Sequence, residues 1–312
     1  MHESLTDTLD QLNAKFAATG QSLTGYLDGL LQADYLTYWD YIHLETLLTL
    51  QKPRTAYPDE LIFVTYHQIT ELYFKLILHE IAQIADAEPL TAAFFTARIQ
   101  RVNRYFTLLE ESFSVVVTGM EREQFLAFRM ALLPTSGFQS AQFRKIEIVS
   151  TDLVNLTNQT ESDSGTDSIA EQYQRIYWKQ GATDLATGQP SFTLQQFDKH
   201  YGPELMRLAD DYQTKNIGRR YHQLAQTGHA TTELVDTLRE YDWRVNIRWK
   251  LAHLRSAVQH LKKDTATTDV AATGGTNWQT YLPPHQQQRV FFPALWSAEE
   301  SQTWGQNAQP PR

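Results

Sequence analysis

Three polar side chains lie inside otherwise apolar stretches of the chain, and their types suit metal, proton or anion binding. His67 lies in "IFVTYHQITELYF", with Phe63 one helical turn before it. His253 lies in "RWKLAHLRSAVQH" and Arg129 in "FLAFRMALL". Neutral imidazoles bind metals and carry protons, and a guanidinium can hold a carboxylate through two parallel hydrogen bonds. These positions are the first candidates for a functional site.

Each candidate also has a purely structural explanation. Buried polar groups usually find a partner, so His67 could be satisfied by a carbonyl or by the glutamate one turn later. The same holds for His253, and His260 on the same helical face competes with it as a ligand. Arg129 could form an ion pair with an acid such as Glu147, since arginine is seldom buried alone. Residue types alone leave both explanations open.

The surroundings of His253 favour one ligand role. Ala252, Ser256 and Ala257 are small and would leave room for a flat macrocycle. A single histidine on a buried helix is a common axial ligand of haem iron. The chain has no cysteine, which removes disulfides, zinc–cysteine sites, iron–sulfur clusters and a thiolate haem ligand. GxSxG, HExxH, Walker A and GxGxxG motifs are also absent. Haem, or a pocket without a cofactor, remains open.

Composition limits the partners. The 312 residues carry a formal net charge of -9, which argues against nucleic acid as the main partner. No run of about 18 apolar residues is present, so no membrane span is expected. The N-terminus lacks the layout of a signal peptide. Together with the lack of cysteine, this predicts a cytoplasmic protein.

Helical periodicity dominates the chain and must position these side chains. Amphipathic or apolar helical patterns cover 3–32, 35–51, 59–87, 90–117, 121–133 and 231–263. The segment 59–87 is apolar on nearly every side, which predicts a central helix buried all round. We expect an all-α fold, one domain over 1–312 of roughly ten helices, with a helical insertion at 169–228.

A glycine pair marks one further candidate. The stretch "ATGGTN" places Gly274 and Gly275 side by side after Thr273. Paired glycines allow backbone shapes that other residues resist. The stretch is either an ordinary flexible loop or a lid that orders over a ligand.

These residues fall within four blocks that are familiar together. The blocks are "YLTYWDYIHLETLL" (35–48), "DELIFVTYHQITELYFKLILHE" (59–80), "FLAFRMALLPTSGFQSAQFRKIE" (125–147) and "WKLAHLR" with "ATGGT" (249–276). In these blocks and in their order, the chain resembles the tryptophan 2,3-dioxygenases, an all-helical family of haem enzymes. The strings "SGFQS-x-QFR-x-x-E" and "HQ-x-x-EL-x-x-K" carry most of the resemblance.

The resemblance implies a role for each matching residue. His253 corresponds to the proximal ligand of haem b iron, and His67 to the catalytic distal histidine that accepts a hydrogen bond from the indole N–H. Phe63 and Phe125 correspond to the walls of the indole pocket. Arg129 corresponds to the arginine that binds the substrate carboxylate.

Further matching positions complete the implied site. Ser136 and Gly137 would lie against haem, with Ser136 also facing the substrate. Thr273 would contact the substrate's ammonium and carboxylate groups. Tyr38, Tyr41 and Ile42 match a segment that reaches into a neighbouring subunit's site, which implies a homotetramer.

The implied reaction inserts both atoms of O2 across the indole C2–C3 bond of L-tryptophan on ferrous haem. The product would be N-formyl-kynurenine, the first step of the kynurenine route. Two alternatives are a haem-dependent monooxygenase acting on an indole or phenol amino acid, and a haem- or tryptophan-binding protein without turnover.

Three positions depart from the family pattern. Pro58 replaces a histidine, Tyr73 replaces a tryptophan, and "DTATTDVAA" lengthens the segment before Thr273. The last departure bears on the geometry of that loop.

Overall fold

Helices make up nearly all the regular structure of the protein. The computed structural model describes residues 4–34, 36–132, 137–158, 167–183, 187–261 and 283–306. Within these ranges there is no strand, and the only extended pairing is two isolated bridges, Thr157 with Ile176 and Thr183 with Pro190. The predicted all-α class is confirmed. The chain divides into two compact units, Met1–Lys52 and Pro53–Arg312.

The first unit is a set of short helices with little core. Its helices are α1 (Leu5–Ala18), α2 (Leu23–Leu31), α3 (Tyr38–Tyr41) and α4 (Leu44–Leu47). Among its described residues only Leu23 is buried. The prediction of one continuous helix over 35–51 is wrong. His43 has a φ of 51° and interrupts the helical conformation between α3 and α4.

The second unit contains the longer helices. They are α5 (Asp59–Asp86), α6 (Ala92–Ser112), α7 (Ser114–Val117), α8 (Arg122–Phe128), α9 (Ala141–Ser150), α10 (Ile169–Gln174), α11 (Tyr177–Gln180), α12 (Phe192–Asp211), α13 (Ile217–Gln226), α14 (Thr232–Trp243), α15 (Lys250–Leu261), α16 (Pro284–Gln287) and α17 (Ala298–Gln302). Short 3-10 turns cover Arg129–Leu132, Gly137–Gln139, Leu153–Leu156 and Pro293–Leu295.

The core of the second unit lies where α5, α6, α9 and α14 pack together. The buried positions of α5 recur every three or four residues, the spacing of one helical face. They include Phe74, Ile77, Ile81 and Ile84. The facing stripe of α6 is Phe95, Ile99, Val102, Phe106 and Leu109. Each such burial contributes about 1.5–3 kcal/mol, and together they fix the helix that carries His67.

The prediction that α5 is buried all round is wrong. Four apolar side chains on this helix are exposed, namely Leu61, Ile69, Leu72 and Leu76. Only one face of α5 packs against α6 and α9, so its continuous apolar composition does not mean continuous burial.

The segment 169–228 shares the main core. Helix α12 packs against α9, and α13 packs against α5 and α9. Its buried residues in the same apolar cluster are Tyr173, Ile176, Trp178, Ala182, Leu194, Phe197, Leu205, Ala209, Ile217 and Leu224. The prediction of a single domain with an insertion at 169–228 stays a prediction.

The helix that carries His253 runs on from α14 through a π-helical segment, Arg244–Trp249, into α15. The predicted helix at 231–263 is therefore present from Thr232 to Leu261, with one change of pitch inside it. Trp249, at the end of the π segment, packs with its ring centroid 4.8 Å from that of Phe113. This contact anchors the start of α15.

A buried charge network lies beside α15. Arg144 Nη1 is 2.8 Å from Glu147 Oε2, and the Tyr177 hydroxyl donates to Glu147 Oε1 over 2.5 Å. The Lys250 amine lies 5.0 Å from the centroid of the Tyr177 ring, and the Arg289 guanidinium 4.8 Å from it. Burial lowers the pKa of Lys250 to about 7; Glu147 opposes this shift, and Arg144 and Arg289 add to it.

No helix within the described ranges is long and apolar enough to cross a membrane.

The depressed pKa of Lys250 predicts a pH-dependent stability difference. Between pH 7 and pH 9 the unfolded chain keeps a proton on Lys250 that the native protein has lost, so wild-type stability rises with pH. The Lys250→Met variant lacks this gain. We expect the free energy of unfolding of the wild type to rise by about 2 kcal/mol relative to the variant over this interval.

The measurement is urea denaturation of both proteins at pH 7, 8 and 9. Groups that titrate equally in both proteins cancel in the difference. A difference that stays constant with pH would contradict the assignment.

Candidate functional site

His67 has a defined tautomer. Its Nδ1 lies 2.7 Å from the carbonyl oxygen of Phe63, one turn earlier on α5. A carbonyl oxygen only accepts hydrogen bonds, so Nδ1 carries the proton and donates it. In the neutral ring Nε2 then has a free lone pair and acts as an acceptor. Of the two structural partners considered for His67, the carbonyl is the one observed.

Burial keeps His67 neutral. Desolvation lowers the pKa of His67, while the Phe63 carbonyl and the Glu71 charge oppose the shift. Glu71 itself accepts from the Ser140 hydroxyl over 2.6 Å and from the Gln142 amide over 2.8 Å. The Glu71 carboxylate therefore points toward α9 and toward Ser140, the N-cap residue of that helix.

His253 is also neutral. Desolvation is the main reason that the pKa of His253 is lowered to about 4. Ring contacts connect the two imidazoles, because the Tyr66 ring lies 5.5 Å from that of His67 and 5.8 Å from that of Phe113, between centroids. The His253 ring stacks against Phe113, with centroids 6.3 Å apart and planes at 26°. Within the described residues it makes no hydrogen bond.

Both imidazoles are open to solvent. Solvent reaches the side chains of His67 and His253, although neighbouring protein atoms partly desolvate both rings.

Aromatic side chains form one wall of the site. The Phe63 ring packs against His67 with centroids 4.1 Å apart. Phe125 on α8 lies 6.1 Å from Phe63, and Phe128 lies 5.7 Å from it. Phe63, Phe125 and Ala252 pack against one apolar cluster. That cluster joins α5, α7, α8 and α15. It therefore brings together the helices that carry His67, Phe125 and His253.

His260 does not compete with His253. Its Nε2 lies 2.6 Å from the carbonyl oxygen of Val116, so this nitrogen carries a proton. The side chain is only 3% exposed, and its Nδ1 is buried. His253 is the accessible imidazole of the two. In the described part of the chain, no three His, Asp or Glu side chains gather into a metal-binding group.

Arg129 is buried where α8 gives way to a 3-10 turn. Burial lowers the pKa of its guanidinium. Glu147, the suggested structural partner, forms its ion pair with Arg144 instead.

Six predicted site residues remain, namely Ser136, Gly137, Thr273, Tyr38, Tyr41 and Ile42. Ser136 and Thr273 lie outside the described residues, and Gly137 begins the turn Gly137–Gln139. In the first unit, Tyr38 and Tyr41 are 71% and 73% exposed. Ile42 is half-buried.

Sequence reasoning did not identify a functional role for three buried polar residues that precede His253 in the chain. They are Asp242 in α14, Asn246 in the π-helical segment and Lys250 at the start of α15. Their spacing of four residues in an apolar segment was the available signal, since it places them on one helical face.

Known proteins match this chain over most of its length. The family model for tryptophan 2,3-dioxygenase matches residues 29–158. A tryptophan 2,3-dioxygenase of Caulobacter vibrioides is 30% identical over 282 residues, which cover 85% of this chain and 98% of that protein. One from Polaromonas naphthalenivorans is 28% identical over 279 residues, or 84% of this chain and 90% of that protein.

A shorter match has a higher identity. A tryptophan 2,3-dioxygenase of Herpetosiphon aurantiacus is 44% identical over 119 residues, which are 36% of this chain and 45% of that protein. The match with the Caulobacter protein, in contrast, runs across nearly all of both chains. The chain therefore belongs to the tryptophan 2,3-dioxygenase family.

Proposed function

We propose that this protein is a haem-dependent tryptophan 2,3-dioxygenase. It inserts both atoms of O2 across the indole C2–C3 bond of L-tryptophan and forms N-formyl-kynurenine, the first step of the kynurenine route. One observation carries the proposal beyond family membership. Two neutral imidazoles are connected through the rings of Tyr66 and Phe113, and the proton of His67 is committed to Nδ1 by the Phe63 carbonyl.

The residues around His253 suit haem b. The imidazole is accessible and neutral at pH 7, so a nitrogen lone pair is available to iron. Ala252, Ser256 and Ala257 beside it are small and only partly covered. His253 would be the axial ligand, with Ser136 and Gly137 as further predicted contacts. When bound, ferrous haem supplies the chemistry of O2.

His67 and the aromatic wall would orient the substrate. The free lone pair on Nε2 of His67 accepts a hydrogen bond from the indole N–H. The rings of Phe63 and Phe125 pack on the indole and exclude water from it. A substrate that lacks this N–H leaves a desolvated acceptor without a partner.

Arg129 would hold the other end of the substrate. Arg129 is buried, and a substrate carboxylate beside its guanidinium would favour the charged form that burial disfavours. Thr273 is the proposed contact to the ammonium and carboxylate groups. Fixing both ends of tryptophan would hold the indole in one position against His67 and the aromatic wall, which lowers the entropic barrier to reaction.

We also propose that the protein is a cytoplasmic homotetramer in which Tyr38, Tyr41 and Ile42 complete a neighbour's site. Two features support this proposal. The first unit buries only Leu23 among its described residues. Its aromatic side chains Tyr38, Trp39 and Tyr41 are exposed, as expected for a segment that binds a second copy.

The assay for the reaction uses haem-loaded, anaerobically reduced protein with L-tryptophan. On addition of O2 we expect the absorbance of N-formyl-kynurenine to rise. With 18O2 the product should contain two labelled atoms, because both atoms are inserted. One labelled atom would favour a monooxygenase, and haem-loaded protein that gives no product would contradict the proposed reaction.

The role of His67 predicts a change in specificity. His67→Leu removes the acceptor, so kcat/KM for L-tryptophan should fall about 10- to 100-fold. The preference for tryptophan over 1-methyltryptophan, which has no indole N–H, should be lost at the same time. His79→Leu, at an exposed position on the same helix, is the matched control. A His67→Leu variant that keeps the preference would rule out this hydrogen bond.

The shared site predicts complementation between two defective variants. Arg129→Ala damages the pocket and leaves the first unit intact, whereas Tyr38→Ala with Tyr41→Ala does the reverse. Each alone should have low activity. Co-expressed, they should regain activity, since some pockets then receive an intact segment from a neighbour. If the mixed oligomers stay as inactive as their parents, the segment does not act in trans.

A further inference from the structure

The helix that carries His253 changes its pitch just before that residue. The π-helical segment Arg244–Trp249 separates α14 from α15. A π turn is rare, because it distorts the usual hydrogen-bonding pattern, and it needs support from its surroundings. His253 lies one turn after this segment, so its direction depends on how the π turn is held.

A ladder of buried polar side chains spans the π segment. The Asn246 amide donates to Asp242 Oδ1 over 2.8 Å. The Lys250 amine donates to Asn246 Oδ1 over 3.2 Å. The three side chains are 0%, 1% and 7% exposed in chain order. In this hydrophobic interior, each bond replaces a lost bond to water and is costly to remove.

The Asp242 end of the ladder is hydrogen-bonded to the C-terminal segment, residues 291–296. In addition to Asn246, three donors of that segment bond to Asp242. They are the backbone N–H groups of Phe291 and Phe292 at 2.9 and 3.0 Å, and the Trp296 indole N–H at 2.9 Å. The carboxylate thus accepts four hydrogen bonds, which compensate its burial.

The upper end is held by the charge network. The Lys250 amine lies against the ring of Tyr177, and Tyr177 donates to Glu147. The ladder therefore runs between two fixed points, the C-terminal segment and α9. It crosses the π turn on the way.

His253 has no comparable support of its own. Its ring makes no hydrogen bond within the described residues and stacks on Phe113 at 6.3 Å. Ligand histidines are commonly oriented by a hydrogen bond to the second ring nitrogen. Here the backbone from which the ring projects must provide much of that orientation.

We propose that Asn246 and Lys250 are positioning residues for the His253 imidazole, and that they act by holding the π-helical register. This inference rests on the proposed role of His253 as haem ligand. It uses Lys250 as a hydrogen-bond donor, which an amine is whether or not it carries a proton.

The test compares variants of the full-length protein. Asn246→Leu and Lys250→Met keep side-chain volume and remove a rung of the ladder. Lys250→Arg restores a donor. Lys179→Met is the matched control, because Lys179 is also buried and its ion pair, 2.8 Å from Asp198, lies outside the ladder.

The first readout is the iron–histidine stretching band of the reduced, haem-loaded protein in resonance Raman spectra, together with the rate of haem loss. We expect both ladder variants to shift or broaden the band and to lose haem about 10-fold faster. Lys250→Arg should restore the wild-type band, and Lys179→Met should leave it unchanged. If Asn246→Leu does not fold, the Lys250 pair carries the test.

A second readout does not need haem. In protein labelled with 15N-histidine, the imidazole signal of His253 should move in the ladder variants and not in Lys179→Met. Unchanged His253 signals in the ladder variants would overturn the inference. A wild-type protein that binds no haem would instead contradict the proposed function, so the two failures are distinct.

Discussion

The hydrogen bond between His67 and the Phe63 carbonyl determines what the candidate site can bind. At 2.7 Å this contact fixes the proton on Nδ1, since the carbonyl has none to give. Desolvation lowers the pKa of the same ring, so a second proton on Nε2 is disfavoured. The result is an acceptor in an aromatic surrounding. Such a site favours a flat substrate with one N–H donor and disfavours one without it.

Desolvation lowers the pKa of both histidines. Different contacts, however, hold the two rings in place. His67 is held by a backbone carbonyl of its own helix and by the ring of Phe63. His253 is held by stacking and by the helix beneath it. Long helices packed through α5 and α6 make the first arrangement rigid. The second relies on the contacts of Trp249 and on the polar ladder.

The helical class and the main helices could be predicted from the sequence because periodicity reports which face is buried. The limits came where distant partners decide the outcome. Exposed Leu72 and Leu76 on α5 look like core residues in a pattern that cannot show what packs beside them. The break at His43 depends on a single positive φ. The first is a tertiary effect that overrides local preference, and the second is a local backbone conformation that hydrophobic periodicity does not report.

For the site, the sequence identified His67, Arg129 and His253 as unusual polar residues, and in the structure ring contacts through Tyr66 and Phe113 connect the two histidines. Their roles stay predictions. The tautomer of His67 was not predictable, since it depends on the position of one carbonyl. The choice between His253 and His260 was open as well. It is the Val116 carbonyl, on another helix, that occupies His260 Nε2.

The lack of a hydrogen bond to His253 in the described part of the chain bears on how its ring is oriented. Ligand histidines are commonly oriented by a hydrogen bond to the second ring nitrogen. Among the described residues the His253 ring has no such bond, and it stacks on Phe113 with centroids 6.3 Å apart. In the proposed site the direction of the imidazole therefore depends on the backbone of α15, and so on the π-helical segment and the polar ladder that precede it.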